Sequence, residues 1–193
     1  MIVPRWEWRT FGDDFGEVER KLAATEPERV QESNETYVLS VASDASVKVR
    51  DGLMDVKLLE EVDGDGLEQW RPTMKAEFPL AADGVRQVFD ALAVPLPPLA
   101  RDEYTVDQLV GELVEPDPRL RAVEVHKHRE RFTVGGAMAE LSEIRVAEGG
   151  RGTIAIESED SSLVVAAVHE LGLPLRPNVC LARGLKALVG FGA

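Results

Sequence analysis

Residues 123–134 read VEVHKHRERFTV, and the fold turns on that stretch. Read as a β-strand, it sends alternate side chains to opposite faces. Lys127, Arg129 and Arg131 then stand in one row, with roughly 7 Å between neighbours. Cations in such a row repel one another unless water screens them or an anion comes to them. Alone, the stretch fits a solvated strand face. The anion reading needs other strands to repeat the pattern.

Several strands repeat it. Residues 5–9, RWEWR, set Trp6 and Trp8 against Arg5, Glu7 and Arg9. Residues 46–50, SVKVR, set Val47 and Val49 against Lys48 and Arg50. The turn signal Asp51-Gly52 leads, after a Leu-Met pair, to a partner strand at 55–59 with Asp55 and Lys57 on one face. Residues 137–146 place Met138, Glu140 and Ser142 together. Residues 153–159 set Ile154 and Ile156 against Thr153, Ala155, Glu157 and Glu159. The apolar faces suit the helices expected at about 14–24, 82–93, 162–171 and 182–189, with a shorter one within 105–113. Residues 36–41 form a further strand, and 69–80 an extended piece whose Pro72 marks an edge or bulge. Residues 26–35 are polar and read as a loop.

This order of elements fits an α+β domain with a large antiparallel meander. An open sheet would leave the charged faces wet. A sheet curled into a barrel would turn them onto a shared polar interior. The run VPLPPLA at 94–100 is a stiff connector, so the chain reads as a single domain, 1–193, of two halves joined near 94–104.

Charge narrows the ligand. The net charge of −13 opposes binding to nucleic acid or an anionic membrane, so neither is expected as a partner. No apolar run approaches the roughly 18 residues of a membrane span, and MIVPRWEWR lacks the pattern of a signal peptide. The single cysteine, Cys180, precludes an internal disulfide and fits a reducing compartment. A cytoplasmic location is therefore expected. Basic rows inside an acidic chain point to a shielded site for a small anion, or to scattered ion pairs. An interior lined by both signs suits a polyphosphate with its divalent metal, since Arg and Lys bind phosphate oxygens and carboxylates hold Mg²⁺ or Mn²⁺.

In order and spacing these motifs resemble the CYTH superfamily of triphosphate tunnel metalloenzymes, over essentially the whole chain. The likeness rests on RWEWR, on VKVR followed by DVK, on KHRER, on the late IES strand and on the C-terminal LARGLKALVG helix. The resemblance implies an α+β fold, an eight-stranded antiparallel β-barrel forming a tunnel with helices packed outside. It implies action on inorganic triphosphate, thiamine triphosphate or nucleoside triphosphates, or cyclisation of ATP. It implies Mg²⁺ or Mn²⁺ as cofactor and a small-molecule triphosphate as partner. A homodimer stays open.

Carried over position by position, the resemblance makes Arg9, Lys48, Arg50, Lys57, Lys127, Arg129 and Arg131 phosphate-binding residues, with Lys186 a further candidate. It makes Glu7 and Glu157 catalytic, and Glu7, Glu140 and Glu157 the metal ligands. Arg5, Ser142, Thr153 and Ala155 stand where further carboxylates would be expected. The phosphate side is well populated and the metal side thin. The chain thus reads as a triphosphatase or as a diverged module that captures a polyphosphate or nucleotide without turnover.

Other motifs have plainer readings. Residues 17–21, EVERK, fit the family's first-strand pattern letter for letter, but they continue an amphipathic helix. His126 and His128 lie opposite the basic row and read as a surface pair. Asp63-Gly-Asp-Gly is a turn, because the terminal Glu of a calcium loop is missing.

Overall fold

The stretch 123–134 belongs to a longer strand, Leu120–Val134, in which buried and less buried residues alternate. The computed structural model describes residues 3–192. In chain order the strands are β1 (Arg5–Gly12), β2 (Arg29–Ser40), β3 (Ser46–Arg50), β4 (Leu53–Val62), β5 (Glu68–Glu77), β6 (Leu80–Ala81), β7 (Glu103–Tyr104), β8 (Leu120–Val134), β9 (Ala137–Val146) and β10 (Gly149–Ser158). The helices are α1 (Glu17–Ala23), α2 (Ala82–Leu92), α3 (Val106–Gln108, running into a π-helical turn at Leu109–Val114), α4 (Ser161–Leu171) and α5 (Leu181–Val189). Among the described residues no helix is long and apolar enough to cross a membrane.

Eight strands close into one barrel in the order β1-β10-β9-β8-β2-β3-β4-β5, each neighbour antiparallel. The seam from β5 back to β1 runs through Arg5↔Trp70 and Glu7↔Glu68. The short β6 and β7 pair apart from the barrel. Closure removes sheet edges and fixes which face points inward.

Two apolar clusters cover the barrel from outside. Val47, Val49, Met54 and Val56 pack under α2 and the α3 turn through Val85, Phe89, Leu92 and Leu109. Trp8, Ile154 and Ile156 pack under α1 and α4 through Val18, Leu22, Val164 and Val168. A third cluster refines the expectation of helices packed outside the barrel. Tyr37, Leu39, Val123, Val125 and Ile144 point inward by alternation, and they pack on Ala182, Leu185 and Val189 of α5. Helix α5 therefore closes one end of the lumen. Gly184 lets it approach, because a Cβ there would collide with the Phe11 ring.

The expected loop at 26–35 is also corrected, since β2 begins at Arg29. On this stretch Val30, Glu32 and Asn34 face solvent, while Gln31, Ser33 and Glu35 face a polar lumen. Neither side carries the apolar periodicity that marks a half-buried strand. Strand β4 begins directly after Asp51-Gly52, both at positive φ (53° and 73°), as a tight hairpin turn requires. The register shift that pairs Lys57 with Pro72 but Val56 with Met74 places Pro72 beside a bulge. Residues 17–21 are helical, with Val18 and Leu22 buried.

Candidate functional site

The part of the lumen that α5 leaves free is a cavity of about 220 Å³. Its wall receives Arg5, Glu7 and Arg9 from β1, Lys48 and Arg50 from β3, and Asp55 and Lys57 from β4. Strand β8 supplies Lys127, Arg129 and Arg131, β9 supplies Glu140, and β10 supplies Glu157. Strand period alone puts these side chains on the inner face. The cross-strand register then sets them side by side. Arg129 lies opposite Ser142 and Arg131 opposite Glu140, while Glu7 lies opposite Glu157.

Glu35, on the stretch read as a loop, is a hub of the cationic wall. Its side chain is fully buried. It accepts hydrogen bonds from Tyr37 Oη at 2.7 Å, from Ser33 Oγ at 2.9 Å and from Arg129 Nη2. Lys48 Nζ and Arg50 Nη1 each lie 3.5 Å from it. Burial would raise this carboxyl, but Lys48, the Tyr37 hydroxyl, Lys127 and Arg129 hold it far below the usual range. It shares parity with Tyr37 and Leu39 on β2, and that parity was the sequence signal for it.

Glu140 balances the same strand further along. It accepts from Lys127 Nζ at 2.9 Å and from Ser142 Oγ at 2.9 Å, and Arg131 Nε lies 3.5 Å away. Burial would raise Glu140, but Lys127 and Arg9 keep it well below the usual carboxylate range. Burial pushes the Lys127 ammonium down to about 8 against the pull of Glu140.

On β1, Arg9 Nε donates to Glu7 Oε1 at 2.8 Å, and Arg9 Nη1 donates to Thr153 Oγ1 at 3.3 Å. Burial opposes ionisation of Glu7, yet Arg9 and Lys57 win and lower its pKa. Glu157 moves the other way, raised by burial and by the Glu7 charge beside it. Ala155 lies between Arg9 and Glu140 in the register. Lys186, His126 and His128 fall outside the cavity wall. Lys186 Nζ is tied to Asp44 Oδ1 at 2.7 Å and to the Ser43 carbonyl at 2.8 Å. His126 and His128 face outward beside Asn34 and Glu32. Cys180 is buried at the cavity floor, its thiol pushed up to about 11 by that burial.

No family model matches the chain, and no curated protein matches its sequence. Its shape does match solved structures. A protein from Hippeastrum, described as an adenylyl cyclase with a dominant triphosphatase activity, superposes with a TM-score of 0.52 at 12% identity, over 98% of this chain and 97% of that one. A protein from Bacillus halodurans, described as an adenylate cyclase candidate, gives 0.53 at 9% identity, over 91% and 93%. The barrel has the CYTH-type fold.

The sequence resemblance implies a divalent metal, and the donors of this barrel can be tested for it. Among the described residues no group of three His, Cys, Asp or Glu side chains is arranged to hold a metal ion. Glu140 is occupied by Lys127, Arg131 and Ser142, and Glu7 by Arg9. Glu157 has Arg5 Nη1 at 4.0 Å. Glu7, Glu140 and Glu157, expected as the ligands of Mg²⁺ or Mn²⁺, are thus not assembled as one oxygen-donor set, and they do not fit a hard divalent ion.

Proposed function

We propose that the lumen captures the phosphate chain of a small triphosphate compound. One observation carries this reading. Arg129 Nε and Arg131 Nε are buried in the lumen without a hydrogen-bond partner. Charged donors left without acceptors are costly, and anion oxygens would satisfy them. Lys57 reinforces the point, since among the described residues no carboxylate forms an ion pair with it. Arginine forks match phosphate oxygens two at a time, so a chain of phosphates suits Arg129, Arg131 and Arg50 better than a single carboxylate would.

Size and charge sharpen the ligand. A cavity of about 220 Å³ is smaller than the roughly 300–1,000 Å³ of sites that enclose whole organic ligands. It fits the phosphate chain, with any organic group left at the mouth near Arg5. The acidic exterior discourages long polyanions.

The test is calorimetric titration with inorganic triphosphate, thiamine triphosphate and ATP, with phosphate release followed in parallel with Mg²⁺ or Mn²⁺. Binding that is weakened by Arg129→Ala and Arg131→Ala is the expected result. Failure to bind all three compounds would sink the reading. Phosphate release abolished by Glu7→Gln would extend capture to hydrolysis.

A further inference from the structure

The row of inward residues on β1 is Arg5, Glu7, Arg9. Glu7 is the register partner of Glu157 on β10 and of Glu68 on β5, so three carboxylates come side by side at one level of the barrel. Such a level is where a divalent ion would bind if its oxygens were free. They are not. Glu68 and Glu7 each hold an arginine closely, and Glu157 has one at the edge of ion-pair range. Arg183 from α5 pairs with Glu68, Arg9 lies 2.8 Å from Glu7, and Arg5 lies 4.0 Å from Glu157. The pairing of Arg9 and Glu7 is shielded, with side chains 6% and 14% exposed, so water cannot take over from either partner. Lys57 lies beside this level in the cavity wall. A divalent ion entering here would meet two carboxylates already paired, and the charges of Arg5, Arg9, Arg183 and Lys57.

We infer that this barrel takes up its polyphosphate without a divalent ion, with fixed arginine charge standing where a metal would otherwise sit. The inference rests on the polyphosphate reading above. In a metal-loaded site the ion neutralises the phosphate chain and bridges it to carboxylates. Here Glu68 and Glu7 are already held by arginines, and Arg5 stands at 4.0 Å from Glu157. Charge on the phosphate chain is met instead by Lys57 and by the wall of Lys48, Arg50, Arg129 and Arg131. Arg5 is the position that decides this. It stands two residues before Glu7 on the same inward face, at the mouth, where a carboxylate would have joined Glu7 and Glu157 in an open set of three.

The experiment titrates inorganic triphosphate into the full chain in EDTA and again in Mg²⁺, with Mn²⁺ alone as a separate titrant. The expected result is a Kd in EDTA equal to or tighter than that in Mg²⁺, and no stoichiometric Mn²⁺ uptake by the unliganded protein. Arg5→Glu is expected to weaken triphosphate binding in EDTA at least tenfold. It should also create Mn²⁺ uptake, seen as loss of the free-ion paramagnetic resonance signal and removed again by Glu157→Gln. A thermal melt reports whether the variant is folded, and the wild-type titrations decide the matter without it. Binding of triphosphate by the wild type only when metal is present would overturn this inference and leave the polyphosphate reading standing. Stoichiometric Mn²⁺ uptake by the wild type that is lost in Glu157→Gln would do the same. Absence of triphosphate binding under both conditions would overturn both.

Discussion

The inward face of β8 carries Val123 and Val125 at one end and Lys127, Arg129 and Arg131 at the other. The valines pack with Ile144, Leu185 and Val189, so that end of the lumen is a dry core closed by α5. The cations line a cavity and lean on Glu35 and Glu140. One face of one strand therefore does two jobs, and the division falls where α5 stops. Apolar burial stabilises the closed end at about 25 cal/mol per Å² removed from water. The charged end lacks that support, and it holds together only because each buried charge has a partner of opposite sign.

Removing a hub at the charged end should have the largest effect. Glu35→Gln leaves Lys48, Arg50 and Arg129 facing one another, and a broken buried ion-pair network of this kind costs about 3–5 kcal/mol. Urea unfolding measures it, and inorganic triphosphate should stabilise the variant more than the wild type by replacing the lost negative charge. Equal stabilisation of both would break the link between hub and ligand.

Arg129→Ala comes next, on affinity. Loss of a charged hydrogen-bonding group costs about 1.5–3 kcal/mol, or roughly ten- to a hundredfold in Kd by titration. The closed end is tested by Gly184→Ala. A methyl group pressed onto Phe11 should cost about 1–3 kcal/mol of stability, with little change in triphosphate affinity if the two ends are independent.

The smallest effect concerns pH. Lys127 titrates near 8 in the folded chain and near 10.5 when unfolded. Between those values the unfolded chain holds a proton that the folded chain has released, so this group's contribution to stability rises with pH. Anion affinity moves the opposite way, falling as pH passes about 8. In Lys127→Arg, whose charge persists, that fall should flatten. An unchanged pH profile would remove Lys127 from the anion site.

Much of this was legible in the chain because a strand's period is short and its faces are chemically distinct. Glu7 with Arg9, Lys48 with Arg50, and Lys127 with Arg129 announce an inward polar row as soon as the opposite face is apolar. Glu35 was missed for the converse reason. Residues 29–35 have solvent on one side and a polar lumen on the other, so no apolar row marks the strand. Lys186 shows a different limit. Its place on an amphipathic helix is readable, but its pairing with Asp44 across 142 residues is not.

The sequence by itself determined which residues form strands across most of the chain and which of them share a face, because both follow from local alternation. It also determined that basic rows sit in an acidic protein. Only the tertiary structure decided that these faces converge, since closure depends on β5 meeting β1 across the barrel. Only it showed that α5 fills one end, that Glu68 meets Arg183 of that helix, and that Glu157 on β10 comes within reach of Arg5 on β1. Those pairings are set by register and packing between distant segments, and local pattern carries no record of them.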